Sequence, residues 1–189
     1  MDNDLNALHR RALGATGKII AGITPEQWGE PTPCDGWDAR ELTNHLVSGN
    51  FWAAELAAGK TIDEVGIRLD GDVLGPDPSE AFTRSASAAA AAFEAPGALE
   101  APCAVSYGPV SGEVYIGHRF IDVLIHGWDL AVATGQDRRI DPDLVTACQN
   151  IIEPQAEMLR ASGAFGQETA PEPGADEQTR LLLRLGRRP

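Results

Sequence analysis

Apolar side chains recur three and four positions apart through most of this chain. Leu5, Leu8, Ala12, Ala15, Ile19 and Ile23 repeat at that spacing, which marks one helical face and predicts a first helix from about Asp4 to Ile23, closed by Thr24-Pro25. Residues 28–37 hold Pro31, Pro33, Gly29 and Gly36, a composition that resists regular structure and reads as an ordered loop. Asp38 followed by Glu41 forms a capping box and starts a second helix reaching about Ala58. Its inward face reads Leu42, His45 or Leu46, Gly49, Trp52 or Ala53, and Leu56. Residues 60–76 are polar and carry no assignable pattern.

Asp77-Pro78-Ser79-Glu80 opens a third helix to about Glu94, with Phe82, Ala86, Ala89 and Phe93 as its packing face. Pro96 and Gly97 end it, and residues 98–111 have room for a short extended piece. A fourth helix is expected over about Ser111 to Thr134, stopped by Gly135. Asp141-Pro142 starts a fifth, with Leu144, Cys148, Ile151 and Ile152 on its buried side and a kink or division at Pro154. The stretch 166–175 is rich in Pro, Gly and Glu and reads as a surface excursion, after which Asp176 caps a last short helix through Leu185. The expectation is an all-α fold, and 189 residues suit a single domain over 1–189.

Charge narrows the function classes. With 28 acidic against 15 basic residues and a formal charge of −13, the chain has no basic patch to neutralise a phosphate ladder, so nucleic acid is not an expected partner. The acidity also discourages adhesion to anionic membranes, and no apolar run approaches the roughly 20 residues that span a bilayer. The start Met1-Asp2-Asn3-Asp4 is acidic where a signal peptide is basic, so a cytoplasmic location is expected. Cys34, Cys103 and Cys148 are odd in number and widely spaced; they read as small buried hydrophobes rather than a disulfide or zinc framework. Cys34 alone has a second option, thiolate character from the start of the second helix.

Asp122 and His126 stand four apart, one turn apart on one face of the fourth helix. His45 brings a second imidazole from another helix towards the same core, where an unpaired polar group is costly. Two imidazoles and a carboxylate are donors for zinc and also for nickel, iron or manganese, and three protein ligands leave a coordination position open for water or a thiolate. His118, one turn before Asp122, is a further option as a fourth ligand or base, against a partly exposed helix histidine. Asp129, one turn beyond His126, could orient a ligand imidazole, although local bonding is the favoured reading. Tyr115 and Trp128 read as core or cleft lining, and His9 as a surface residue.

The stretches Thr32-Pro-Cys-Asp-Gly-Trp-Asp-Ala-Arg-Glu-Leu-Thr-Asn-His45-Leu and Asp122-Val-Leu-Ile-His126-Gly-Trp-Asp-Leu-Ala resemble the DinB-like superfamily. More closely they are similar to its actinobacterial branch related to the N-terminal domain of mycothiol-dependent maleylpyruvate isomerase, as is the ending Leu-Leu-Leu-Arg-Leu-Gly-Arg-Arg-Pro. The resemblance implies a four-helix up-down-down-up bundle with extra short C-terminal helices and a divalent metal, commonly zinc, at one end of a cleft. The family's ligands, a histidine and then a glutamate and histidine four apart, map onto His45, Asp122 and His126. Asp122 departs from that glutamate by one methylene, which would draw the metal towards the fourth helix or admit a water.

By the same resemblance the reaction would be thiol transfer or thiol-assisted isomerisation of a small electrophile, with mycothiol as cosubstrate and the metal favouring the thiolate. The isomerase carries a second, C-terminal domain for which this sequence has no room, so the resemblance does not extend to maleylpyruvate as substrate. The alternative is a metal-containing protein that binds or senses a small ligand without turning it over, as a monomer or homodimer.

Overall fold

The computed structural model describes residues 4–155 and 167–189. Seven α-helices form among them: α1 Leu5–Ala21, α2 Ala39–Ala57, α3 Ile62–Val65, α4 Pro78–Phe93, α5 Gly112–Ala133, α6 Pro142–Ile152 and α7 Glu177–Arg184. A two-residue antiparallel ladder pairs β1 Pro102–Cys103 with β2 Val110–Ser111, in the stretch expected to hold an extended piece. The chain divides into two compact units, Met1–Arg138 and Arg139–Pro189.

Local chemistry sets the helix starts. Asp38 accepts from the Glu41 amide while the Glu41 carboxylate accepts from the Asp38 amide, a reciprocal capping box that satisfies two otherwise orphaned donors. Asp77, Ser111 and Asp176 each accept from the amide three residues on, and Pro78 sits where a missing N–H costs nothing. The unassigned stretch 60–76 contains α3, started by a box of the same kind between Thr61 and Glu64.

The direction of each bundle helix follows from which residues meet. His9 on α1 packs against Phe93 at the far end of α4, and a side chain at Gly17 would touch Phe82 near its start, so α1 and α4 run antiparallel. Thr16 donates to the Val123 carbonyl and the Ile19 carbonyl accepts from Gln136, so α1 and α5 run parallel. On α2, His45 meets Asp122 and Asn50 meets Arg119, a descending order that makes α2 and α5 antiparallel. Asn50 meets Ser85, and Ala53, Leu56 and Ala57 share a cluster with Ala89 and Phe93, so α2 and α4 run parallel. The order is therefore up-down-down-up, and the parallel α2 and α4 need the crossover of residues 58–77 that carries α3.

The α1 face is rotated from the periodicity expected of it. Leu8, His9, Ala12, Leu13, Thr16 and Ile20 are buried, whereas Ala15 is exposed and Ile19 half-buried. His9, expected at the surface, is 1% exposed. In α5, 15 of 22 residues are buried, which makes it the central helix of this unit. Gly127 lets α1 approach it, because a Cβ there would collide with the Thr16 side chain. Gly127→Ala is expected to destabilise the fold by about 1–3 kcal/mol through overpacking, read as a lower urea midpoint with an unchanged slope.

The second unit packs α6 with α7 through buried Leu144, Val145, Cys148, Ile152, Leu181, Leu182 and Leu185. Ile140 donates to Gln178, and Arg184 pairs with Glu153. A 3-10 turn over Glu153–Gln155 carries Pro154 and ends α6; the continuation expected of that helix lies outside the described residues. Among the described residues no helix is long and apolar enough to cross a membrane.

Candidate metal centre

Three segments converge at one end of the first unit: the loop before α2, the first turns of α2 and the second half of α5. His45 Nε2 lies 3.3 Å from Asp122 Oδ1, and His126 Nε2 lies 3.4 Å from the same oxygen. One donor atom from each of His45, Asp122 and His126 falls within 4.8 Å of the other two. The two rings meet edge to face with centroids 5.2 Å apart, and Trp37 leans over His45 at 4.8 Å. Side-chain exposure falls from 36% for His45 to 24% for Asp122 and 12% for His126, so the set opens to solvent on the His45 side. That side borders a cleft of about 610 Å³ lined by Trp37, Arg40, Asn44, His45, Trp52 and Asp72.

Each ligand candidate is held from behind. Arg119 Nη1 donates to Asp122 Oδ2 at 2.8 Å, which leaves Oδ1 to face the imidazoles. Asp129 is fully buried and its Oδ2 lies 3.0 Å from His126 Nδ1. A carboxylate in that position accepts the Nδ1 proton and turns Nε2 outward as the free donor. Asp129 thus bonds locally, as favoured from the sequence, and that local bond is the one that fixes the orientation of the His126 ring.

Charge reinforces this arrangement. Burial alone would raise the Asp122 pKa, but Arg119 and the His126 imidazole hold it well below the usual carboxylate range. Burial alone would lower the His126 pKa, yet the Asp122 carboxylate, with hydrogen bonds to Asp122, Asp129 and Cys34, lifts it well above 6.5.

Cys34 belongs to this centre rather than to the core: its Sγ lies 3.3 Å from Asp129 Oδ2 and 3.6 Å from His126 Nδ1. Thiol and carboxylate therefore share one ring nitrogen, whereas a nucleophilic triad places them on opposite nitrogens. The thiol donates to Asp129 and belongs to the support of His126. Cys103 and Cys148 are buried as expected. His118 is drawn to the Tyr107 hydroxyl at 2.6 Å and is not among the grouped donors. Tyr115 and Trp128 are buried in the core. The sequence reading missed Arg119 and Trp37; the signal for Arg119 was a glycine, Gly49, inside the apolar face of α2.

The family model described as mycothiol maleylpyruvate isomerase N-terminal domain matches residues 9–131, a span that contains all three donors. The chain belongs to this family. Two uncharacterized proteins of Mycobacterium tuberculosis, from two strains, are each 38% identical over 151 residues, covering 78% of this chain and 79% of theirs. A crystal structure of a mutant of the mycothiol-dependent maleylpyruvate isomerase superposes with a TM-score of 0.64 over 86% of this chain and 72% of that one, at 14% identity. That likeness is one of fold, and it agrees with the all-α DinB-like bundle expected of this isomerase N-terminal domain family.

Proposed function

We propose that His45, Asp122 and His126 hold one divalent metal ion, zinc before nickel, iron or manganese, and that the centre acts on a low-molecular-weight thiol together with a small electrophile. One observation carries this reading. Arg119 and Asp129 make contacts of 2.8 and 3.0 Å to their partners, but the two imidazoles stand 3.3 and 3.4 Å from a single oxygen. Charge-assisted hydrogen bonds close to about 2.7–2.9 Å. Two donors at about 2.0–2.1 Å from a tetrahedral zinc lie about 3.3–3.4 Å apart, so the separations suit a shared ion better than a shared proton. The aspartate in place of the family's glutamate reaches both imidazoles through Oδ1 with no water needed between them.

When bound, such an ion would polarise a ligand in its open position and favour a thiol as thiolate. The chain's own residues do the rest. Asp129 and Cys34 keep His126 oriented, Trp37 covers His45, and the cleft beside His45 offers the space for the thiol's substituents. The name of the related isomerase supports mycothiol as that thiol, and a soluble, cytoplasmic enzyme suits such a cosubstrate.

Untagged protein purified without chelators is expected to contain about one divalent ion per chain, measured by elemental analysis. Calorimetric titration with mycothiol should then saturate only in the metal-loaded protein. Absence of metal under those conditions would overturn the reading. Saturable thiol binding with no thiol-dependent turnover of any electrophile would make the protein a binding or sensing module instead.

A further inference from the structure

Arg119 lies in α5 with 8% of its side chain exposed, and partners on two helices, α5 and α2, bind its guanidinium. Nη1 donates to Asp122 Oδ2 at 2.8 Å and Nη2 donates to Asn50 Oδ1 at 3.0 Å. The Asn50 amide donates in turn to Ser85 Oγ at 3.2 Å, and the Ser85 hydroxyl donates to the Phe82 carbonyl at 2.9 Å. α5 thus supplies the cation, α2 its clamp and α4 the anchor of the clamp. Gly49 supplies the seat: a Cβ there would stand 2.5 Å from Arg119 Nη1 and 2.9 Å from Cζ and Nη2. A glycine inside a helix weakens it, and a buried cation is costly to desolvate and is often replaceable by well-packed apolar groups. Both features oppose stability, so their joint presence beside the donor set points to a role in the site.

We propose that Arg119 is the positioning residue of this centre, holding Asp122 by Oδ2 so that the carboxylate offers one oxygen, Oδ1, to an ion shared with His45 and His126. The proposal rests on the metal reading above. The carboxylate lies between the guanidinium and the imidazoles, so the cation supports the donor from its far side. A carboxylate released from that hold can turn and bind through both oxygens, which raises the coordination number and fills a position a substrate thiol would use.

Cobalt(II) substitution reads this directly, because four-coordinate cobalt has intense visible d–d bands and five- or six-coordinate cobalt weak ones. The full chain loaded with cobalt(II) and N-acetylcysteine is expected to give the intense bands. Arg119→Gln should lose most of that intensity and bind cobalt(II) about 10- to 100-fold more weakly by chelator competition. Arg119→Lys, which keeps a donor at Oδ2, should restore the bands at least in half. Should Arg119→Gln fail to fold, Asn50→Ala, which frees the guanidinium while keeping its charge, should move bands and affinity in the same direction. Bands and affinity unchanged in a folded, cobalt-loaded Arg119→Gln or Asn50→Ala variant would overturn the proposal and leave the metal reading standing. A parent protein that takes up no cobalt(II) would overturn both.

Discussion

Asp122→Ala is expected to abolish metal uptake and also to destabilise the fold by about 3 kcal/mol, whereas His45→Ala should abolish metal uptake with little change in stability. The difference lies in what each deletion leaves behind. Asp122 is the acidic partner of Arg119, whose side chain is 8% exposed and whose Nε has no hydrogen-bond partner among the described residues. Removing the carboxylate leaves a buried guanidinium with Asn50 alone, and stranding one member of a buried pair costs far more than losing a surface pair. Asp122 is itself partly exposed, so water can reach the gap, which places the effect at the lower end of the range for such pairs. His45, at 36% exposure, leaves no buried orphan. Urea unfolding of metal-free protein separates the cases, and elemental analysis follows the metal. Asp122→Asn retains an acceptor for Arg119 and should recover most of the lost stability without regaining the metal. Equal stabilities for Asp122→Ala and His45→Ala would show that Arg119 does not depend on this carboxylate.

The parts of this fold legible in the sequence are those set by short-range chemistry. Asp38 with Glu41 and Asp77 with Pro78 mark helix starts because a cap is satisfied within four residues, and the structure places α2 and α4 at those points. Asp122 and His126 were legible for the same reason, since helical geometry alone brings them together. The Thr61-Glu64 box carried the same signal for α3, but four residues are too few for periodicity to support it. Burial of polar groups was not legible. His9 looks like a surface residue until Phe93, 84 positions away, closes over it. Thr16 can be buried because its hydroxyl donates to the Val123 carbonyl, 107 positions away. Cys34 and Arg119 escaped for the same reason, as Cys34's contacts lie 92 and 95 positions away and Arg119's clamp 69. What the sequence displays is the candidate donor set and its neighbours on α5; the Asn50 clamp on Arg119 and the approach of Cys34 are tertiary.

Acid should loosen the first unit from within, through His9. Burial, with Arg119 and Arg10 adding like charge, lowers its pKa from 6.5 to about 3. The unfolded chain takes up this proton as pH falls below 6.5, while the folded chain refuses it until about pH 3. The unfolded state therefore binds more protons across that window, and stability falls as pH falls. A group of this kind contributes its full stabilisation above 6.5 and loses it towards the folded pKa, at a slope approaching about 1.4 kcal/mol per pH unit. His126 works in the opposite sense, since its raised pKa stabilises the metal-free fold at low pH and is lost as pH rises through the folded value. Asp122, with a depressed pKa, loses its contribution only at still lower pH than an ordinary carboxylate titrates. Comparing the parent with His9→Leu cancels both of these. Urea unfolding between about pH 4 and 7 should show the parent losing stability more steeply than His9→Leu by close to one proton, with the difference vanishing above 6.5. Parallel curves would mean that His9 takes up its proton in the fold over the same pH range as in the unfolded chain. The same comparison tests the charge of Arg119 at a distance, because that guanidinium is one of the two cations that hold the His9 pKa down.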